Sequence, residues 1–376
     1  MQYMKIIHRY IIKEIIGPLF LGFFLFTFIF LIDKMTDLVD LILNKGVNLL
    51  TTIKLLIYIM PAFIAITVPM GLLMAVLIAF SRLNSDNEII AMKTSGLNTK
   101  VIIIPVLLFS LILSIIMVMF NNYILPSSNM AFKNLYFNIL KERASIGIQK
   151  KLFINEFNDF IFYIEEKDDK TDELRNITIY SLEKKDEPSY IILAKYGNIL
   201  SDTKEKRVIL KLKDGTLHQI NNKNPLVYNK IKFNTYDLDL DLKNMLKENS
   251  VENIKTAREM NFKELGEEIK RYFKNGINTN YLKIEYHKKI AIPFACLAFT
   301  LVGISIGTAL KVKGSSISFL ISIFIILIYY FLLIFGEILS EKGNLTPWLG
   351  MWLPNIIIGI IGIVSLYFTI KEKLKI

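Results

Sequence analysis

The chain has 376 residues, of which 53% are hydrophobic, and a formal net charge of +11. With a mean hydropathy of +0.42, it exceeds the apolar content of roughly 45–50% typical of soluble domains, which excludes a simple globular protein. The basic balance does not indicate a nucleic-acid reader, because Lys and Arg are dispersed and no helix or zinc motif of such readers occurs.

The first element is an amphipathic lead from Tyr3 to Glu14 that runs into an apolar stretch, Ile15 to Ile32. Basic Lys5, Arg9 and Lys13 ahead of it resemble a secretory signal. The stretch is too long for a signal core, however, and ends in Ile32-Asp33-Lys34 without a small-residue cleavage site. It therefore reads as the first membrane span, given the need for about 20 apolar residues to cross the hydrocarbon core. Leu55 to Phe80 and Val101 to Leu125 are the second and third, completing a first transmembrane half over residues 1–125.

Between the second and third spans lies Ser81 to Gly96. Ser85 and Glu88 have the spacing of a capping box, Ile89, Met92 and Lys93 follow, and Gly96 is a natural stop, so a short helix over 85–95 is expected. Such a helix suits docking on a separate motor, or simply lies in the interface.

Residues 126–245 change character and read as strands: Phe160–Ile164, Ile177–Tyr180, Tyr190–Leu193, Val208–Leu212 and Ile231–Leu242 alternate apolar and polar residues. Asp214-Gly215 is a hairpin signal, because a primed turn needs positive φ. Short antiparallel strands at this spacing predict an all-β sandwich or jelly-roll-like domain. Residues 246–289 form a helical linker in which Asn261 and Glu264 are spaced as a capping box. A second half, 290–376, holds spans at Ile290–Leu310, Ile317–Leu339 and Leu349–Ile370, the first two joined by a tight Lys311–Gly314 turn. The fold class is thus six transmembrane helices with an inserted extracytoplasmic β domain.

Short-loop charge sets the orientation. With both termini inside, cytoplasmic segments carry Lys5, Arg9, Lys13, Arg82, Lys93, Lys100, Lys311, Lys313, Lys371, Lys373 and Lys375, against Lys34, Lys45 and Lys342 outside. The β domain is then periplasmic, beyond the inner membrane.

Chemistry is sparse. No Gly-x-x-x-x-Gly-Lys-Ser/Thr sequence occurs, so the chain is not itself a P-loop ATPase. His8, His218 and His287 are scattered without ligand spacing, and Cys296 sits alone in an apolar run as a small core residue, so no metal site, cofactor or catalytic residue is expected. Gly303, Ser305, Gly307 and Thr308 are small residues that let helices approach in lipid. Glu337, near the outer end of the fifth span, is either functional or placed in the headgroup layer.

Three segments, Ser85-Asp86-Asn87-Glu88-Ile89-Ile90-Ala91-Met92-Lys93-Thr94-Ser95-Gly96, His287-Lys288-Lys289-Ile290-Ala291-Ile292-Pro293-Phe294-Ala295, and Gly336 to Asn355 with Trp352-Leu353-Pro354-Asn355, carry a resemblance in their order and spacing. With the three-span, β-domain, three-span layout, the sequence resembles the lipopolysaccharide-export permeases of the LptF/LptG (YjgP/YjgQ) type. The resemblance implies a non-enzymatic subunit that pairs with a second permease, or another copy of itself, above a cytoplasmic ATPase dimer. It also implies a jelly roll that hands lipopolysaccharide to periplasmic bridge proteins. By motif position, Glu88 lies in the helix that enters the ATPase, with Ser85, Ile89 and Met92 beside it. Lys34 matches a basic position that meets lipid phosphates, and Lys288 and Lys289 are similarly placed. For these outer lysines, snorkelling towards headgroups is the competing cause. A permease for lipoprotein release or mechanotransduction, or a non-transport scaffold, is the alternative reading.

Overall fold

The computed structural model describes residues 2–43, 47–143, 153–157, 160–167, 174–181, 189–202, 207–220, 228–240, 255–310 and 315–372. Lys45, the Lys311–Gly314 turn and the first part of the linker fall outside them. The chain divides into a helical unit, Met1–Val39, Asn48–Lys133 and Lys255–Ile376, and a β unit, Asp40–Val47 and Asn134–Ile254.

In the helical unit every apolar run is a helix, and all are longer than the runs themselves: α1 Gln2–Leu43, α2 Leu49–Ser85, a short α3 Glu88–Thr94, and α4 Thr99–Arg143. After the β unit come a 3₁₀ turn Ala257–Glu259, α5 Phe262–Lys274, α6 Asn280–Ala309, α7 Ser315–Glu341 and α8 Pro347–Glu372. Six of them are long and apolar enough to cross a membrane: Ile6–Leu43, Leu49–Ser85, Thr99–Tyr136, Asn280–Ala309, Ser316–Glu341 and Pro347–Phe368. The amphipathic lead and the first span are one helix, continuous through Pro18.

Helices α2 and α6 form the centre. Residues 69–77 of α2 are all buried, as are Ala295, Cys296, Phe299, Val302 and Ile304 of α6. The small residues expected to allow close approach do so: a Cβ on Gly303 would lie 2.9 Å from Val76 Cγ1, and one on Gly307 2.8 Å from Phe80 Cβ. Larger side chains there would force the central pair apart. By contrast, α1 exposes Phe20, Phe24 and Phe28, and α7 exposes Leu320, Phe324, Leu327 and Phe331. These are faces for lipid or another apolar surface, because hydrocarbon gives no driving force to bury them.

The carbonyl that Pro293 leaves without its helical donor is met by a neighbouring helix, as a spanning helix requires. Pro293 cannot donate to the carbonyl of Lys289, and Asn121 Nδ2 on α4 approaches that oxygen at 3.5 Å. Ser114 on α4 donates to Pro293 O at 3.0 Å.

The β unit is one six-stranded antiparallel sheet in sequential order: β1 Phe153–Phe157, β2 Phe160–Lys167, β3 Leu174–Ser181, β4 Ser189–Asp202, β5 Arg207–Ile220 and β6 Tyr228–Leu240. The described pairing is therefore a meander, and the two facing sheets of a sandwich or jelly roll are not part of it. Asp214-Gly215 is not a hairpin. It lies inside β5, which keeps one register on both sides, with Tyr196 opposite Lys213 and Ala194 opposite Gly215. The positive φ that the dipeptide favours is used at a single residue, Asp214, at 53°, to crease the strand rather than to reverse it. Asn176 in β3 does the same at φ 52°.

The crease explains the burial pattern. Along an unbroken strand every second residue faces one side, yet buried positions step by three from Leu174 to Ile177, Ala194 to Gly197 and Leu212 to Gly215. These steps straddle Asn176, Lys195 and Asp214, which neighbour one another in the register. A left-handed residue at the fold line resets the alternation, so both halves of the sheet bury the same face around Ile177, Ile179, Ile192, Leu210 and Leu212. Gly215 is required there, since a Cβ would come within 2.3 Å of Phe233 and 2.5 Å of Leu193 O.

In the linker the predicted capping box is present: Asn261 Oδ1 accepts from Glu264 N at 3.0 Å, and Asn261 N donates to Glu264 Oε2 at 2.8 Å. Burial raises the Glu264 carboxyl, but its bonds from Lys255 and the Asn261 amide outweigh that and hold it below the ordinary range. The linker is fastened to α4 by Phe262 N donating to Asn122 Oδ1 at 2.7 Å and by a Lys133–Glu259 pair at 3.0 Å.

Candidate functional site

Two polar sites interrupt the apolar helical unit, near opposite ends of α1. At about 1.5 Å per residue, the stretch from Tyr10 to Lys34 runs roughly 36 Å, close to the thickness of a bilayer.

The first is the corner between α2 and α3. Ser85 does not cap α3; it is the last residue of α2, and its hydroxyl donates to Arg82 O at 3.0 Å. Only Asp86 and Asn87 separate the two helices, so the chain reverses through Asn87 in the left-handed region, φ 58°, with no side-chain cap. Asparagine tolerates that conformation better than other non-glycine residues. Glu88 is consequently the first residue of α3 rather than its third, where a carboxylate still complements the helix dipole. Gly96, φ 83°, ends the turn as expected.

The apolar residues assigned to motor docking point the other way. Ile89 is 2% exposed in a buried cluster that includes Leu83, Ile11 and Ile15, and Met92 packs against the same cluster. They anchor α3 to its own bundle. The outward side of the corner carries Asp86, Asn87, Ile90, Ala91 and Thr94, all exposed, with Glu88 half-buried at its edge. Burial lowers the Lys93 ammonium from its ordinary value. Glu88 Oε2 accepts from the Tyr10 hydroxyl at 2.7 Å, and Arg82 Nη1 meets Glu14 Oε2 at 2.8 Å. The buried Asn84 donates to Leu310 O at 2.8 Å, closing the end of α2 onto α6. Tyr10, Glu14 and Asn84 escaped the sequence reading; the only trace of the first two is their four-residue spacing on the amphipathic lead.

At the other end, the three lysines of the sequence reading have different surroundings. Lys34 is partly exposed and is held by its own helix, at 3.0 Å from Asp37 and 3.5 Å from Asp33. Lys288 is largely buried, paired closely with Glu337 of α7 and at 3.5 Å from Glu285, which Arg258 approaches at 3.6 Å. Lys289 is only 4% exposed and donates to Asn121 O of α4 at 3.2 Å. The structure thus turns Lys288 and Lys289 inward to bind helices together, and Glu337 is an ion-pair partner rather than a lone headgroup-layer acid. Snorkelling does not describe Lys289, whose ammonium is turned inward.

The remaining signature residues join helices in the same way. Asn355 Nδ2 donates to Ala291 O at 2.7 Å, while its Oδ1 accepts from the fully buried Tyr329 hydroxyl at 3.1 Å. One asparagine therefore ties α6, α7 and α8. A Cβ on Gly336 would lie 2.2 Å from Gly350 O, so α7 and α8 touch backbone to backbone.

A family model described as "Lipopolysaccharide export system permease LptF/LptG" matches residues 9–367, which takes in both polar sites and all but the outermost residues of the six spans. Among curated relatives, an uncharacterized protein of Rickettsia prowazekii (strain Madrid E), RP871, is 26% identical over 201 residues. That match spans 52% of this chain and 55% of the relative, about half the length of each. Six spans, an inserted antiparallel sheet and a nearly full-length family match agree, and the chain belongs to the LptF/LptG family of lipopolysaccharide export system permeases.

Proposed function

We propose that the chain is the transmembrane subunit of an ATP-driven exporter that extracts lipopolysaccharide from the inner membrane and passes it to a periplasmic bridge. It pairs with a second permease of its family, or with another copy of itself, and is driven by a cytoplasmic ATPase dimer docked on α3. The observation that carries this reading is α3 itself: its apolar side is sunk into the bundle while Asp86, Asn87, Ile90, Ala91 and Thr94 remain exposed beside Glu88. A helix anchored in this way transmits force instead of sliding over the bundle.

The energetics require such a motor. Each buried methylene holds a lipid chain by about 0.8 kcal/mol, so several chains cannot be drawn through water unaided. The exposed apolar faces of α1 and α7 and the creased sheet of the β unit are the surfaces along which chains would stay covered. Purified with its ATPase partner in nanodiscs, the complex should release lipopolysaccharide to an acceptor only when ATP is hydrolysed. ATP-dependent release of a lipoprotein instead would favour the other permease class, and failure to bind an ATPase would leave the scaffold reading.

Orientation is tested separately. A membrane-impermeant thiol probe should label Lys230→Cys in the sheet from the periplasmic side, and Asp86→Cys only after permeabilisation; the buried native Cys296 gives little background. Reversed labelling would overturn the topology.

Lys34 is the one lysine of the three retained as a lipid-phosphate ligand, because its side chain is 39% exposed. Lys34→Glu should reduce copurified lipopolysaccharide without lowering ATP hydrolysis by the assembled complex. The defect should shrink when the lipid lacks its phosphates. Equal lipid recovery from the variant and the native chain would remove Lys34 from recognition.

A further inference from the structure

We infer that Tyr10 and Glu14 are positioning residues that latch α1 to the α2–α3 corner, so that displacement of α3 by the ATPase moves α1. The inference rests on the coupling role proposed for α3 and adds the route by which its motion leaves the corner.

The two residues are four apart on α1 and so lie on one helical face. Each bonds a residue flanking the corner: the Tyr10 hydroxyl donates to Glu88 Oε2 at 2.7 Å, and Glu14 Oε2 meets Arg82 Nη1 at 2.8 Å. Arg82 is also 3.7 Å from Asp86, the residue just after α2. Ile11 and Ile15, one position along from each, are fully buried in the same cluster as Leu83 and Ile89. Apolar packing thus seats the corner against α1, and two directional polar bonds fix its register.

Farther along, α1 meets α2 differently. Phe30 stacks on Phe63, and Gly22 abuts Gly71; the hydrogen bond there is Thr27 to Thr67 at 3.1 Å. Apolar contacts of this type allow small sliding motions between packed helices. A helix bonded to the corner at one end, and held beyond it mainly by apolar contacts around the Thr27–Thr67 bond, will tilt about that bond when the bonded end is pushed. The outer part of α1 carries the exposed Phe20, Phe24 and Phe28, so that tilt would shift an apolar face against whatever lies beside it. The bond also orients Glu88: a carboxylate offers about four acceptor sites, and the Tyr10 hydroxyl uses one while leaving others for a partner's cation.

Two arms separate the latch from the coupling reading. In the purified chain alone, Tyr10→Phe with Glu14→Ala keeps the ring and the fold but removes both bonds, and should speed amide exchange in α3 about tenfold, the equivalent of one ordinary hydrogen bond. Unchanged exchange overturns the latch whatever any partner does. In the complex, spin labels on exposed Met35 of α1 and Trp348 of α8 should change separation when ATP binds. That change should vanish in the double variant while ATPase attachment and basal hydrolysis persist. A purely structural role would instead lower attachment and hydrolysis together. Exchanging the charges, Glu14→Arg with Arg82→Glu in otherwise native protein, should preserve the motion, whereas Glu14→Arg alone should weaken it. A nucleotide-driven change that survives the double variant, or is absent from the native complex, overturns the latch; absence of ATPase binding by the native chain overturns the coupling reading.

Discussion

Replacing Glu337 by leucine is expected to destabilise the helical unit by about 3–5 kcal/mol, the cost of leaving one member of a buried ion pair uncompensated. Lys288 and Glu337 have side chains only 18% and 23% exposed. Without Glu337, the Lys288 ammonium keeps only Glu285 at 3.5 Å, which it shares with Arg258. The pair itself need not be strongly stabilising, because desolvating two charges offsets most of their attraction. Lys288→Met combined with Glu337→Leu should therefore recover most of the loss. Unfolding of the four proteins in detergent gives the coupling energy as a double-mutant cycle. Simple additivity of the two single changes would show that the pair carries no such interaction.

Glu88→Ala is expected to weaken ATPase attachment by about 2–5 kcal/mol, the range for truncating one partner of a desolvated, hydrogen-bonded charge pair at an interface. The change also removes the acceptor of the Tyr10 hydroxyl. Tyr10→Phe, measured alongside, removes the same bond but keeps the Glu88 carboxylate, and should retain the native affinity. Titration of the ATPase against nanodisc-held variants supplies the affinities. Equal affinity for the native and Glu88→Ala proteins would take Glu88 out of the docking surface, and the exposed Ile90 and Asp86 would then have to supply the contact.

How far the sequence reached differs between the two polar sites. At the corner, the positions of Glu88 and Gly96 were legible, because a polar interruption between two long apolar runs has to turn the chain. The start of α3 was not. A Ser-x-x-Glu spacing fits a cap, but with α2 running on through Ser85 only Asp86 and Asn87 remained for the reversal, and a left-handed asparagine took the place of the cap. The same ambiguity misplaced Asp214-Gly215: positive φ is a property of one residue, and whether it ends a strand or creases it depends on the strands alongside, here β4 and β6, which continue on both sides.

By itself the sequence determined the six spans, the inserted strands, the close approach at Gly303 and Gly307 and the capped linker helix. Each follows from local periodicity or from length against the bilayer, quantities that need no knowledge of neighbours. Only the tertiary structure decided what the charged and amide residues of the spans do. Asn121 and Asn355 lie inside expected spans, Glu337 near the end of one and Lys289 at the edge of another, and a residue of that kind must either reach the interface or find a partner inside. Which of the two occurs is set by residues far away in the chain, such as Pro293 and the Lys289 carbonyl it frees or Tyr329 and Ala291 on either side of Asn355, and packing alone brings them together.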